Sequence, residues 1–191
     1  MLMDEIRQLL TSTGAVLEGH FQLTSGLHSD VYVEKFRLLE DPVVLSRLGE
    51  LMAEPFVESN VNVVLGAAIG GILLSSVTAK VLGTRGIFAE RVDGTLELRR
   101  GFSLKSHERV LVVEDIVTTG GSVSELLGIV KHAGAEAVGV VCIVDRSKSG
   151  VDFGEKTVAL TRLPSVSWNP EDCPLCKSGK KLKSRGRTGK I

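Results

Sequence analysis

Several absences narrow this chain before any motif is considered. It has no apolar run near the roughly 18 residues that a membrane-spanning helix requires, although 43% of its 191 residues are hydrophobic, so no membrane span is expected. Its cysteines number three, an odd and small count that describes no disulfide framework and fits a reducing compartment. Net charge is also lacking: 23 basic residues balance 23 acidic ones, and no global field draws the chain onto nucleic acid. The opening stretch, MLMDEIRQLL, carries acids and an amphipathic pattern in place of a basic start and a longer apolar segment, so no secretory signal is read and a cytoplasmic location is expected. There is no internal repeat and no low-complexity linker. The one uneven region runs from Lys177 to Ile191, with seven Lys or Arg residues and no acid, the composition of a solvated or frayed tail.

What is present has the length of a single domain with an adequate core. Ile6, Leu9 and Leu10 stand at helical spacing and predict a short helix over Asp4–Leu10. Val16–Leu23 and Val31–Phe36 look extended, with Ser25-Gly26 as a turn between them, which predicts a small antiparallel flap over about residues 14–36. Asp41-Pro42 supplies an N-cap and a first-turn proline for a helix through Leu45, Leu48, Leu51 and Met52. Strands and helices then alternate. Strands are expected at 61–65, 85–89, 109–113 and 137–144, helices at 72–82 and 122–133, and a hairpin arm at Thr95–Leu98 after the Asp93-Gly94 turn. This order predicts a doubly wound, parallel α/β sheet over residues 1–172, followed at 173–191 by a Cys-x-x-Cys pair and the basic tail. Ligands of such sheets lie beyond the carboxyl ends of the strands.

The most informative stretch is the thirteen residues Val110-Leu111-Val112-Val113-Glu114-Asp115-Ile116-Val117-Thr118-Thr119-Gly120-Gly121-Ser122. Four apolar residues make a buried strand, and two carboxylates follow at its ligand-facing end. The Thr/Gly/Ser turn then opens a helix, where free amides and hydroxyls form a nest for a phosphate monoester. The acids would repel that phosphate, so their natural partners are sugar hydroxyls or a phosphate-bound metal. A solvated strand end followed by a plain N-cap is the bland alternative. It suffices for the turn alone, but two adjacent acids after a buried strand are costly unless something uses them.

This segment resembles the phosphoribosyl-pyrophosphate signature of type I phosphoribosyltransferases. The resemblance implies that Glu114 and Asp115 hold ribose hydroxyls, that Ile116 and Val117 are the signature's two variable positions, and that Thr118, Thr119, Gly120, Gly121 and Ser122 hold the 5-phosphate. Gly66-Ala67-Ala68-Ile69-Gly70-Gly71 is similar to the family's pyrophosphate loop, which implies pyrophosphate contacts from Ala67, Ala68, Ile69 and Gly70, and in the family this loop often carries a cis peptide. The flap, Gly19-His20-Phe21-Gln22-Leu23-Thr24-Ser25-Gly26 with Ser29 and Tyr32 beyond it, resembles the opening segment of orotate phosphoribosyltransferases. Ser25, Gly26 and Tyr32, with Thr118, would then lie near the base. Val144-Asp145-Arg146 resembles the strand end whose arginine faces the orotate carboxylate, a role that suits a two-pronged guanidinium. A surface ion pair of Arg146 with Asp145 or Asp152 is the alternative.

Two departures stand out. Thr24 and Gly70 occupy positions where the related enzymes commonly carry lysine, and the mobile-lid region Glu90–Gly101 has arginines in place of a Lys and His cluster. Displacement of pyrophosphate from the sugar develops negative charge on the leaving group, so Arg91, Arg99 and Arg100, with Lys105 and His107 nearby, are the candidate stabilisers. They would act by charge neutralisation, since arginine donates no proton at neutral pH. Asp115 joins them as a candidate catalytic residue. Solvated hairpin residues are the alternative for each arginine.

Cys173-Pro174-Leu175-Cys176 is a lone C-x-x-C. Zinc would need two further ligands and the chain has no second such pair, though a second subunit could supply one; a free or structural thiol pair is expected. Cys142 is read as core, and His28 and His132 as surface residues. The resemblance implies an orotate phosphoribosyltransferase, with Mg²⁺ carried mainly by the pyrophosphate oxygens and Asp115 left open as a protein ligand. It also implies a homodimer whose lid reaches over the neighbouring site. A phosphoribosyltransferase for a purine or other base is the second reading. A sugar-phosphate-sensing regulator that binds nucleic acid is the third, and the zero net charge counts against it.

Overall fold

The computed structural model describes residues 2–23, 25–147, 149–164 and 166–184. Helix α1 (Leu2–Ser12) buries Ile6 and Leu10. Strands β1 (Val16–Gln22) and β2 (His28–Val33) form the expected hairpin, and α2 (Phe36–Leu39) is a single helical turn. In α3 (Pro42–Ala53), Asp41 caps as predicted, its carboxylate accepting the amides of Val43 at 2.8 Å and Val44 at 3.2 Å. There follow β3 (Val63–Ala67), α4 (Gly70–Leu82), β4 (Arg85–Val92), β5 (Thr95–Leu98), β6 (Arg109–Val117), α5 (Gly121–His132), β7 (Glu136–Asp145), β8 (Thr157–Arg162), β9 (Ser167–Trp168), α6 (Pro174–Lys177) and β10 (Lys183–Ser184).

Among the described residues, the larger sheet has the order β5-β4-β3-β6-β7-β8, parallel except for the edge hairpin arm β5. From β3 the chain passes through α4 to β4 on one side; from β6 it passes through α5 to β7 on the other. The order therefore reverses between β3 and β6, and the crevice beyond their carboxyl ends is where a doubly wound sheet takes its ligand.

Both faces of this sheet are covered, which is why β6 carries a continuous apolar run from Val110 to Val113. Leu111 and Val113 face a core with Leu48, Met52 and Leu74, while Val110 and Val112 face a second core with Val123 and Leu126 from α5. Each fully buried Leu or Val side chain contributes about 1.5–3 kcal/mol. No described helix is long and apolar enough to cross a membrane.

The smaller sheet, in the order β10-β1-β2-β9, is built differently. Its flanking strands are two residues long and come from the far end of the chain: β9 pairs antiparallel with β2, and β10 pairs parallel with β1 through Phe21↔Lys183 and Gln22↔Ser184.

Four expectations need correction. Strand β6 does not stop at Val113 but runs to Val117, because the two acids and the two residues after them stay in the ladder with β7 (Glu114↔Cys142, Ile116↔Val144, Val117↔Asp145). The second flap strand begins at His28, not Val31, and Phe36 is helical, since α2 turns the chain so that Leu38 and Leu39 are buried. Residues 177–184, expected to begin a frayed tail, are instead drawn onto the small sheet through the end of α6 and β10. His28, expected at the surface, is buried there, whereas His132 is exposed. The remainder of the basic tail, residues 185–191, and Thr24 lie outside the described residues.

Candidate active site

Two turns and a strand end meet at the crevice between β3 and β6. The first follows β3, where the Ala68–Ile69 bond is cis and the Ala68 amide donates to Ala89 O of β4 at 2.8 Å. This turn is packed against itself: a Cβ on Gly66 would lie 2.4 Å from Gly71 O. At Gly70 the constraint is tighter, since a Cβ there would lie 1.8 Å from Asp115 Oδ2. The backbone of the turn therefore rests directly on the carboxylate.

Asp115 is 3% exposed and both of its oxygens are engaged. Oδ1 accepts the Ile116 amide at 2.7 Å, and Oδ2 accepts Lys35 Nζ at 2.6 Å. Lys35, which follows β2, thus reaches the centre of the crevice, and its Nζ stands 3.4 Å from the Cβ position of Gly70. A cation stands beside position 70, supplied from the turn that follows β2. Sequence reasoning passed over Lys35. Its only signal is a charged residue just after the flap, and nothing in the local pattern aims it at Asp115. Glu114 is also buried, one residue before it on β6.

The second turn is Thr118–Gly121. Thr118 and Thr119 are exposed, and Gly120, at φ +81°, is the N-cap of α5 without any side-chain cap bond. The first-turn amides of α5 have no acceptor within the helix and carry the positive end of its dipole, so the turn can receive an anion. Gly120 is required twice, by its φ and by space, since a Cβ would meet the Phe153 ring at 2.7 Å.

The third element is the end of β7. The Arg146 amide donates to Val117 O at 2.8 Å, and its Nη2 donates to Val31 O of β2 at 3.1 Å. The side chain belongs to a residue only 7% exposed, its buried Nε has no hydrogen-bond partner, and it forms no ion pair among the described residues. Burial pushes the guanidinium pKa below its ordinary value, against the opposing pull of Asp30 and Tyr32. The alternative partners are occupied elsewhere. Asp145 accepts Arg162 Nε at 3.1 Å and the Ser147 amide at 2.8 Å, and Asp152 accepts the Gly154 amide.

The remaining candidates are distributed more widely. Tyr32 is half-buried on β2 with its ring tilted on Phe21 at 5.6 Å. Ser25 and Gly26 form the tip of the β1–β2 hairpin, where Gly26, at φ +83°, donates to Leu23 O. The lid arginines are tied to acids. Arg91 forks onto Glu125 of α5 at 2.9 and 3.2 Å, Arg100 onto Glu90 at 2.9–3.0 Å, and Arg99 lies 3.6 Å from Glu97. Arg99 and Arg100 remain largely exposed, whereas Arg91 is part of the joint between the hairpin and α5. Cys142 is buried on β7, and burial together with Asp145, Glu114 and Asp115 pushes its thiol up to about 12, which makes it inert core.

The family pattern described as "Phosphoribosyl transferase domain" matches residues 37–175. A protein of Pelotomaculum thermopropionicum named orotate phosphoribosyltransferase is 48% identical over 179 residues, covering 94% of each chain. One of the same name from Thermotoga maritima is 47% identical, covering 96% of this chain and 98% of its own. Among solved structures, the orotate phosphoribosyltransferase of Aeropyrum pernix superimposes with a TM-score of 0.71 at 28% identity, over 83% of this chain and 93% of that one.

Proposed function

The chain belongs to the phosphoribosyl transferase domain family, and from that premise we propose that it is an orotate phosphoribosyltransferase, joining orotate to the phosphoribosyl group of 5-phosphoribosyl-1-pyrophosphate. Orotidine 5′-monophosphate and pyrophosphate are the products. The bond from sugar C1 to pyrophosphate oxygen breaks with its electron pair leaving on oxygen, and the base nitrogen forms the new bond at C1 as its proton passes to the leaving pyrophosphate or to water. Positive charge develops on the ribose and negative charge on the leaving group, and fixed charges aimed at both supply the catalysis.

In this reading the Thr118–Ser122 turn holds the 5-phosphate, and Glu114 and Asp115 accept from the ribose hydroxyls. The turn from Ala67 to Gly70 cradles the pyrophosphate, with the Lys35 ammonium beside Gly70 as a fixed cation. Arg99 and Arg100, exposed at the hairpin edge, close over the leaving group from the same or a neighbouring subunit of a homodimer. Mg²⁺ would be held as a companion of the substrate, mainly by the pyrophosphate oxygens, with the Asp115 carboxylate at the crevice as the candidate protein ligand. Such an ion would supply charge neutralisation on the leaving group. A cytoplasmic location belongs to the same proposal.

The observation that carries the choice of base is Arg146. A buried guanidinium with an unpartnered Nε and no ion pair among the described residues is costly unless an anion meets it. Orotate differs from uracil by a carboxylate, and purine bases have none. The test is a pyrophosphate-release assay with orotate, uracil, hypoxanthine and guanine. Orotate alone is expected to drive release, and Arg146→Ala is expected to raise KM for orotate roughly 10- to 100-fold, the scale of a lost charged hydrogen bond, with a smaller effect on the sugar substrate. Release driven by hypoxanthine or guanine and not by orotate would overturn the assignment.

A further inference from the structure

Outside the crevice, one cluster of ligand-type side chains has no part in the chemistry above. His20 on β1 and His28 on β2 face Cys173 and Cys176, which flank the start of α6, and their ligand atoms all lie within 4.8 Å of one another. His20, His28 and Cys173 are buried, and Cys176 is exposed. We propose that these four residues form a tetrahedral zinc site that fastens the C-terminal segment to the small sheet.

Three of the four close contacts in the cluster have the spacing of a metal cage, and the two ring nitrogens stand slightly closer. A tetrahedral centre with Zn–S of about 2.3 Å and Zn–N of about 2.0–2.1 Å separates its ligand atoms by roughly 3.3–3.8 Å. Here His20 Nε2 lies 3.4 Å from Cys173 Sγ and 3.7 Å from Cys176 Sγ, His28 Nδ1 lies 3.3 Å from Cys176 Sγ, and the two ring nitrogens are 3.1 Å apart. The set of two imidazoles and two thiols is one that zinc takes in closed structural sites.

The hydrogen-bond inventory points the same way. His20 Nδ1 lies 2.7 Å from Lys180 O, and a carbonyl only accepts, so Nδ1 carries the proton and Nε2 presents its lone pair. That single lone pair faces three neighbours at once, His28 Nδ1 and both sulfurs. One hydrogen bond can use it for one neighbour, whereas a cation at the centre uses all four ligand atoms together. The Lys180 carbonyl is then the outer partner that holds the ligating ring in its tautomer and orientation.

The site also answers a structural need. Strands β9 and β10 are two residues each, too short to hold a terminal segment by backbone pairing alone, and His20 with Cys173 joins positions 153 residues apart. A bound metal supplies the missing free energy directly, as in other small closed zinc sites.

The decisive experiment is a Co²⁺ titration of the chelator-stripped full chain. Saturation near one equivalent is expected, with thiolate-to-metal charge-transfer absorption and the ligand-field bands of tetrahedral cobalt. Stripping is expected to lower Tm by roughly 5–10 °C, with recovery on adding Zn²⁺. Cys176→Ser and His28→Gln should weaken Co²⁺ binding at least about tenfold and alter the band, while Cys142→Ala leaves it unchanged. Absence of the thiolate band in the stripped wild type, an unaltered band in Cys176→Ser, or a Cys173–Cys176 disulfide found by non-reducing mass analysis would overturn the proposal. Orotate turnover is not among the readouts, so this site and the proposed activity can fail independently.

Discussion

The two sheets of this protein are held together by different means. The larger one is covered on both faces by apolar side chains, and its central strands contribute Val63, Leu65, Val110, Leu111, Val112 and Val113, all fully buried. In the smaller one, β1 and β2 contribute the buried apolar side chains Phe21 and Val33 and the buried polar side chains His20, His28 and Ser29. A broad sheet is stabilised by area, and stability of that kind is spread over many residues. A small sheet with two-residue edges has little area to bury, so it depends on a few specific cross-links. The crevice joins the two regimes: its turns come from the large sheet, the Val31 carbonyl comes from the small one, and Lys35 comes from the turn just after β2.

That contrast yields its largest expected effect at Gly70. A methyl group there overlaps Asp115 Oδ2, so Gly70→Ala must displace either the turn or the Lys35–Asp115 pair. Misplacement at this scale costs on the order of 100-fold in kcat/KM, while Co²⁺ binding at the small sheet should be untouched. Near-normal turnover would show that the close approach of turn and carboxylate has no catalytic weight.

A smaller effect is expected at the hairpin edge. Replacing both Arg99 and Arg100 by alanine removes exposed charges whose ion pairs are worth little to the fold. The expected outcome is a fall in kcat of about tenfold, equivalent to about 1.4 kcal/mol in the barrier, with Tm unchanged. Unchanged kcat with a lowered Tm would instead make the two arginines structural.

The smallest effect concerns the joint between β5 and α5. The Arg91 fork holds the Glu125 carboxyl below the usual carboxylate range, burial opposes it, and the Leu96 amide helps. A carboxylate with a depressed folded-state pKa adds stability in full above its unfolded value of about 4.3 and loses it as pH falls through the folded value. Because both partners are partly exposed, the contribution is at most about 1 kcal/mol. Melting curves of the wild type and Glu125→Gln should therefore differ slightly at neutral pH and converge as pH falls below about 4. A gap that widens in acid would contradict the sign.

How much of this was legible in the sequence depends on how local each feature is. The thirteen residues from Val110 to Ser122 carry a buried strand, two acids and an anion-binding turn in one stretch, and the structure keeps that order while extending the strand through the acids. Asp41 announced its helix for the same reason, since a cap and its helix are neighbours in the chain. The segment after residue 150 was not legible. β9 and β10 are strands only because β2 and β1 lie beside them.

By itself, then, the sequence determined the alternation of strands and helices and the glycine turns at the ligand edge, because side-chain period and turn chemistry act over a few residues. Only the tertiary structure decided that Lys35 would neutralise Asp115 across 80 residues, that Arg91 would clasp α5, and that His20 and His28 would meet a cysteine pair in the C-terminal segment. Those meetings depend on strand pairing and packing between distant segments, and a side chain carries no local mark of a partner that arrives from the other end of the chain.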